Sequence, residues 1–172
     1  MLKITAHLSQ EIKDYFVNYS PGMCWVYKDS AGRSGPDTLE LTSIIGGNLS
    51  SDEGITCHEG YVMNYTSNRT LNFWIWVLAS SDSTGGATLY PGISGNGGSC
   101  EAGYDSNKWY PSFSDSSSIA SGKIYHNVVR MDNYCSYFSG VRIAKDTGII
   151  AFAGFNNKNQ GGNFYLVSRF KK

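Results

Sequence analysis

At 172 residues the chain has the length of one domain with a real core, and 14 Lys plus Arg against 14 Asp plus Glu leave no net charge to draw it toward nucleic acid or anionic lipid. No apolar run approaches the roughly 20 residues of a membrane-spanning helix, the longest being Phe73 to Ala79. Only 16% of the residues are charged, whereas 20 Gly, 12 Tyr, 8 Phe and 4 Trp point to strands punctuated by turns.

In chain order, Leu8, Ile12, Tyr15, Phe16 and Tyr19 recur at helical spacing behind Ser9, an available N-cap, so a short amphipathic helix is expected near 8–20, ended by Pro21-Gly22. The pattern then shortens to period two. "CWVYKDS" and "DTLELTS" read as a hairpin joined by "AGRSGP", and the polar "GGNLSSDEG" reads as loop. "ITCHEGYVMNYTS" is a strand with Gly60 as the natural place for a bulge. "TLNFWIWVLAS" is the strongest strand. Leu71, Phe73, Ile75, Val77 and Ala79 share one face and Asn72, Trp74, Trp76 and Leu78 the other, which predicts a central strand covered on both sides.

Residues 80–121 are Gly/Ser-rich and read as a long loop segment, the kind that carries function. After it, "GKIYHNVVRMDN", "YCSYFSGVRIAK", "GIIAFAGFN" and "GNFYLVSRF" look like successive antiparallel strands. Within them, Asp146-Thr147-Gly148 forms a hairpin turn that places Val141, Ile143, Ile149 and Ala151 in the packing and Lys145-Asp146 at a solvated tip. Nothing repeats at a fixed period. The expected fold is a single all-β domain over 1–172, an antiparallel β-sandwich or open barrel with a short N-terminal helix.

The chemistry-bearing residues are sparse. His7, His58 and His126 are scattered, and Cys57 and His58, as strand neighbours, point to opposite faces, so no metal centre is assigned. No G-x-S-x-G elbow and no phosphate-binding loop occurs, "GISGNGGSCEAG" lacking the required spacing, so no catalytic residue and no cofactor are assigned. A carboxylate pair such as Glu59 with Asp105 leaves a small hydrolase as the alternative class.

Cys24, Cys57, Cys100 and Cys135 form no C-x-x-C pair. They can make two disulfides in three connectivities, or stay as buried thiols, and the reading adopted is at least one disulfide and an oxidising compartment. "MLKITAHLSQ" has neither the apolar core nor the cleavage site of a secretory signal, so an exported chain would have lost its signal. The best binding candidates are Tyr104, Asp105, Asn107, Trp109 and Tyr110, with Lys108 and Phe113 beside them. These aromatics among polar groups suit stacking on a sugar ring or gripping a protein partner, while the alternative has the rings plugging one end of the core.

Two segments carry a resemblance. "YFVNYSPGMCWVYKDSAGRSGPDTLEL" resembles the opening of small secreted lipoproteins of Bacteroidetes-type bacteria, and "SGKIYHNVVRMDN" with "YFSGVRIAKDTGIIAFAG" resembles their closing strand and hairpin. The resemblance implies an antiparallel β domain outside the cytoplasm, in the periplasm or on the outer cell surface, meeting the membrane only through a lipid anchor removed with the signal. It supplies no catalytic residues. The functional expectation is a non-enzymatic envelope or secreted protein that binds a glycan or a protein through its long loops. A loop-borne Asp/Glu/His hydrolase and a purely structural surface lipoprotein are the alternatives.

Overall fold

Alternation of buried and exposed side chains along successive strands organises the molecule. The computed structural model describes residues 4–33, 35–50, 57–69, 72–79, 87–94, 108–109, 115–120, 122–135, 138–155 and 161–172. They form a short strand β1 (Ile4–Ala6), one helix α1 (Gln10–Phe16), and strands β2 (Met23–Asp29), β3 (Asp37–Ser50), β4 (Cys57–Ser67), β5 (Asn72–Ala79) and β6 (Ala87–Ser94). These are followed by β7 (Lys108–Trp109), β8 (Asp115–Ala120), β9 (Lys123–Cys135), β10 (Phe138–Ala144), β11 (Gly148–Phe155) and β12 (Gly161–Lys171).

All twelve strands belong to one curled sheet in the order β7-β6-β5-β4-β3-β2-β12-β11-β10-β9-β8, with β1 added in parallel at the start of β4. Every pairing along that path is antiparallel. The fold is therefore the open-barrel form of the expected all-β class. The curl follows from chain length. Eleven strands laid flat would span about 48 Å at roughly 4.8 Å per gap. The two edges, β7 and β8, are joined through only residues 110–114, and six Cα steps reach at most about 21 Å.

The inner face is apolar. Trp25 and Tyr27 of β2, Leu39 and Leu41 of β3, Met63 and Tyr65 of β4, Ile75 and Val77 of β5, Val141 and Ile143 of β10, and Phe164 and Leu166 of β12 are all buried. Aromatic rings interlock there, with Phe152 stacked on Phe164 at 4.8 Å and Tyr27 edge-on to Phe152 at 4.9 Å. One end of the barrel is stoppered by α1. Ser9 is the N-cap, its hydroxyl accepting from the Ile12 N–H at 3.4 Å, and the helix buries Ile12, Tyr15 and Phe16. Phe16 meets Tyr61 of β4 at 5.9 Å.

Several expectations change against the structure. The helix stops at Phe16, well before Pro21, because Tyr19 turns inward to pack on Phe16 and Trp25, and that burial outweighs helix continuation. Residues 46–50, read as loop, extend β3 by pairing with Tyr61 to Cys57. The register shift falls between Leu41 and Ser43, where Thr42 is the extra residue and its hydroxyl donates to the Asn64 carbonyl. At Gly60 the ladder is unbroken. Glycine stands there because an added Cβ would lie 2.4 Å from the Val77 carbonyl oxygen. The segment 80–121, read as loop throughout, contains β6, β7 and β8. The hairpin 138–155 forms as expected, with Val141, Ile143, Ile149 and Ala151 buried and Asp146 exposed at the tip.

Candidate functional site: a tryptophan pair on the outer sheet face

The sequence placed Trp74 and Trp76 on a face of β5 that required cover. The inner face, carrying Ile75, Val77 and Ala79, is the fully buried one. Trp74 and Trp76 lie on the convex side, half-buried, their ring centroids 5.3 Å apart and their planes tilted by 45°. Directly opposed residues in an antiparallel ladder share a face, so the register extends this pair across the neighbouring strands. Ile45, Val62 and Trp76 form one row, Ser43, Asn64 and Trp74 the next, and Tyr90 and Gly92 of β6 hold the positions opposite Trp76 and Trp74.

The two rows differ in chemistry. Ile45 is exposed, so the Ile45–Val62–Trp76 row is an apolar strip open to solvent at one end. In the adjacent row the Asn64 amide donates to the Ser43 hydroxyl at 2.8 Å, which fixes a hydroxyl and an amide beside the Trp74 indole. Above the strip, Leu49 and Leu78 close over Gly60. The surface is thus a band of π-faces and aliphatic groups bordered by hydrogen-bonding groups, held on the rigid centre of a sheet. It can stack on and hydrogen-bond an amphipathic ring.

Of the sequence-predicted binding residues, Trp109 is among those the structure describes. Tyr104, Asp105, Asn107, Tyr110 and Phe113 lie outside the described residues. Lys108 and Trp109 form β7, paired with Thr88 and Ala87 of β6, which in turn pair with Leu78 and Ala79 of β5. The site signal in the sequence was two tryptophans at i and i+2. Periodicity assigns them to a second packing face, because it cannot distinguish a covered apolar face from a solvated one.

The remaining candidates resolve into frame. Cys24 is a free, buried thiol, its Sγ 3.6 Å from the Gly22 carbonyl oxygen, and burial with the charge of Glu40 raises its pKa. As a disulfide candidate Cys24 is therefore corrected to a reduced, inert thiol. Cys100 and the side chains of Cys57 and Cys135 lie outside the described residues, the backbone of the latter two belonging to β4 and β9. Among the described residues no group of three or more His, Cys, Asp or Glu side chains could hold a metal ion.

Glu59 takes part in a latch. Its carboxylate accepts from the Leu8 N–H at 3.1 Å and from Lys13 at 2.6 Å, with His7 Nδ1 at 3.4 Å. Burial alone would raise its pKa, but the hydrogen bonds from Lys13 and Leu8 and the Lys13 charge outweigh that and hold it below the usual glutamate range. The His58 Nδ1 meets the Ala79 carbonyl oxygen at 2.8 Å. Asp37, fully buried, accepts from the Ser67 hydroxyl at 2.8 and 3.0 Å and ties β3 to β4. Burial raises the phenol pKa values of Tyr19, Tyr27 and Tyr65, so these groups stay neutral in the core.

No protein-family model, no curated protein and no solved structure matches the chain.

Proposed function

We propose that the protein is a non-enzymatic, extracytoplasmic binding protein that holds a glycan against the outer face of β4 and β5. The observation that carries this reading is the Trp74–Trp76 pair, kept half-exposed on a rigid strand beside the Asn64–Ser43 hydrogen-bonding pair. Indoles offer the flat apolar area on which the C–H face of a pyranose stacks, and an amide and a hydroxyl in the adjoining row can take its equatorial hydroxyls. The sequence candidates extend this reading through β7, where Lys108 and Trp109 pair with β6, the neighbour of β5.

Glycan-array retention of the wild-type chain, Trp74→Ala, Trp76→Ala and the double variant tests it. The wild type should be retained by a defined glycan class, each single variant weakened roughly tenfold or more, and the double variant lost, in keeping with about 1.4 kcal/mol or more per stacked ring. Unfolding midpoints of these variants should stay close to wild type. Retention by no glycan, or retention unaltered in the double variant, would overturn the assignment. Capture of a protein but no glycan would transfer the face to a protein partner.

A further inference from the structure

Arg169 puts a positive charge on the concave face of the sheet. It lies opposite Trp25 in the β12–β2 ladder, so the two side chains share that face. One acceptor fixes both. The Thr147 carbonyl takes the Trp25 indole N–H at 2.9 Å and Arg169 Nη1 at 3.3 Å, and Nη1 also donates to the Asp146 carbonyl. The hydrogen bonds of Arg169 therefore run through Nη1 to backbone carbonyls. The opposite edge of the guanidinium, with Nε–H and Nη2–H side by side, is left open on an exposed side chain. Among the described residues no carboxylate pairs with it.

Two phenols flank this arginine. Tyr19, in the turn after α1, has its ring 5.6 Å from that of Trp25, and its hydroxyl is buried with no hydrogen-bond partner. Tyr125 stands on the β8–β9 hairpin, half-buried against the core, and its hydroxyl makes no hydrogen bond among the described residues. The β10–β11 turn brings hairpin and arginine together. On one side the Lys145 N–H donates to the Asn127 carbonyl, and on the other Asp146 and Thr147 hold Arg169. Burial raises the pKa of both phenols, and the Arg169 charge opposes it in each, which puts the guanidinium within electrostatic reach of both hydroxyls.

The other charges nearby are engaged or turned outward. Lys145 pairs with Asp14 of α1 at 3.6 Å, Lys13 with Glu59 at 2.6 Å, and Lys172 with Glu40. Glu11, Lys123, His126, Asp146 and Lys171 are exposed, and none of them is among the charges acting on the two phenols. The corner thus gathers the open guanidinium edge and two phenol hydroxyls with no acceptor for them. Donors held out of water without an acceptor are costly, and an oxygen-bearing anion supplies what they lack. A single unpaired cation fits a singly charged anion, and the side-on guanidinium edge matches the two oxygens of a carboxylate.

We propose that this corner is a binding site for a small monocarboxylate, with Arg169 gripping both carboxylate oxygens side-on, Tyr125 donating from the β8–β9 hairpin and Tyr19 on the buried side. The site is independent of the glycan reading, whose tryptophans lie on the convex face.

Titration of sodium acetate into the isotope-labelled full chain, against sodium chloride at equal ionic strength, tests it through the nuclear magnetic resonance signals of the Trp25 indole N–H and Arg169 Nε–H. Both should move along a saturating curve with a dissociation constant on the order of 1–10 mM, within what so small a ligand can support, while chloride produces only a small linear drift. Arg169→Lys keeps the charge but loses the side-on edge, and should weaken binding about tenfold or more. Tyr125→Phe should weaken it about threefold or more with signals elsewhere unchanged. The double variant W74A/W76A should bind acetate as the wild type does. Absence of saturation, or affinity unaltered by either Arg169→Lys or Tyr125→Phe, would leave the donors to water and overturn the proposal. Equal affinity for sulfate would make the corner a general anion site and overturn the carboxylate assignment.

Discussion

Gly148 shows how one residue can fix a turn. Its φ of +97° lies in the left-handed region, and an added Cβ would sit 2.7 Å from Nε1 of Trp25, the group that donates to the Thr147 carbonyl at 2.9 Å. Gly148→Ala therefore strains the backbone and displaces a fully buried indole. It should lower stability by about 2–4 kcal/mol, read from urea unfolding midpoints. Asp146, at φ +62°, makes the neighbouring turn with its side chain in solvent, so Asp146→Gly should leave stability unchanged or slightly raised in the same measurement. Glu59 gives a pH signature at this scale. Its folded-state pKa is depressed, so its contribution is complete above the unfolded glutamate value and disappears as pH falls through the lower folded value. Urea midpoints measured from about pH 6 down to about pH 3 should fall less steeply for Glu59→Gln than for wild type. A parallel fall would show that the latch contributes nothing.

At the scale of elements, β5 separates packing from binding within one strand. Ile75 is fully buried on the inner face and Trp76 half-buried on the outer, so Ile75→Ala should cost about 2–5 kcal/mol while Trp76→Ala costs clearly less in the same denaturant titration. The reverse order would make the tryptophan face a packing surface. The helix is held in two ways, by burial of Ile12, Tyr15 and Phe16 and by rim contacts from Lys13 to Glu59 and from Asp14 to Lys145. The apolar part dominates, because partly exposed ion pairs contribute only about 0–1 kcal/mol each. Much of this was legible in sequence. The i, i+4 spacing of Leu8, Ile12 and Phe16 indicated the helix and its buried side, and the alternation through "WVY" and "TLEL" indicated strands whose inward residues are Trp25, Tyr27, Leu39 and Leu41. The end of the helix was not legible, because Tyr19 leaves the helical path for a ring contact with Trp25, and no local signal encodes that contact.

For the whole molecule, the pairing of β12 with β2 joins a meander running from β2 to β7 with one running from β8 to β12. Tyr27 strengthens this junction from the inside, its hydroxyl donating to the Ile149 carbonyl at 2.8 Å. A chain truncated before Gly161 loses the strand that bridges β2 and β11, and with it Phe164 and Leu166 from the core. That variant should show no cooperative thermal transition, whereas removal of Lys172 alone, which costs only the exposed pair with Glu40, should leave the transition nearly in place. The sequence alone determined what depends on neighbours a few residues apart: the strand-rich class, the short helix, and the hairpin tipped by Lys145-Asp146, all set by side-chain period and turn chemistry. Only the tertiary structure decided that β2 and β12 meet, that the sheet curls over α1, and that Trp74 and Trp76 remain on the outside. Those outcomes depend on partners brought together across the length of the chain, and a period-two pattern marks two faces of a strand without marking which one the rest of the molecule will cover.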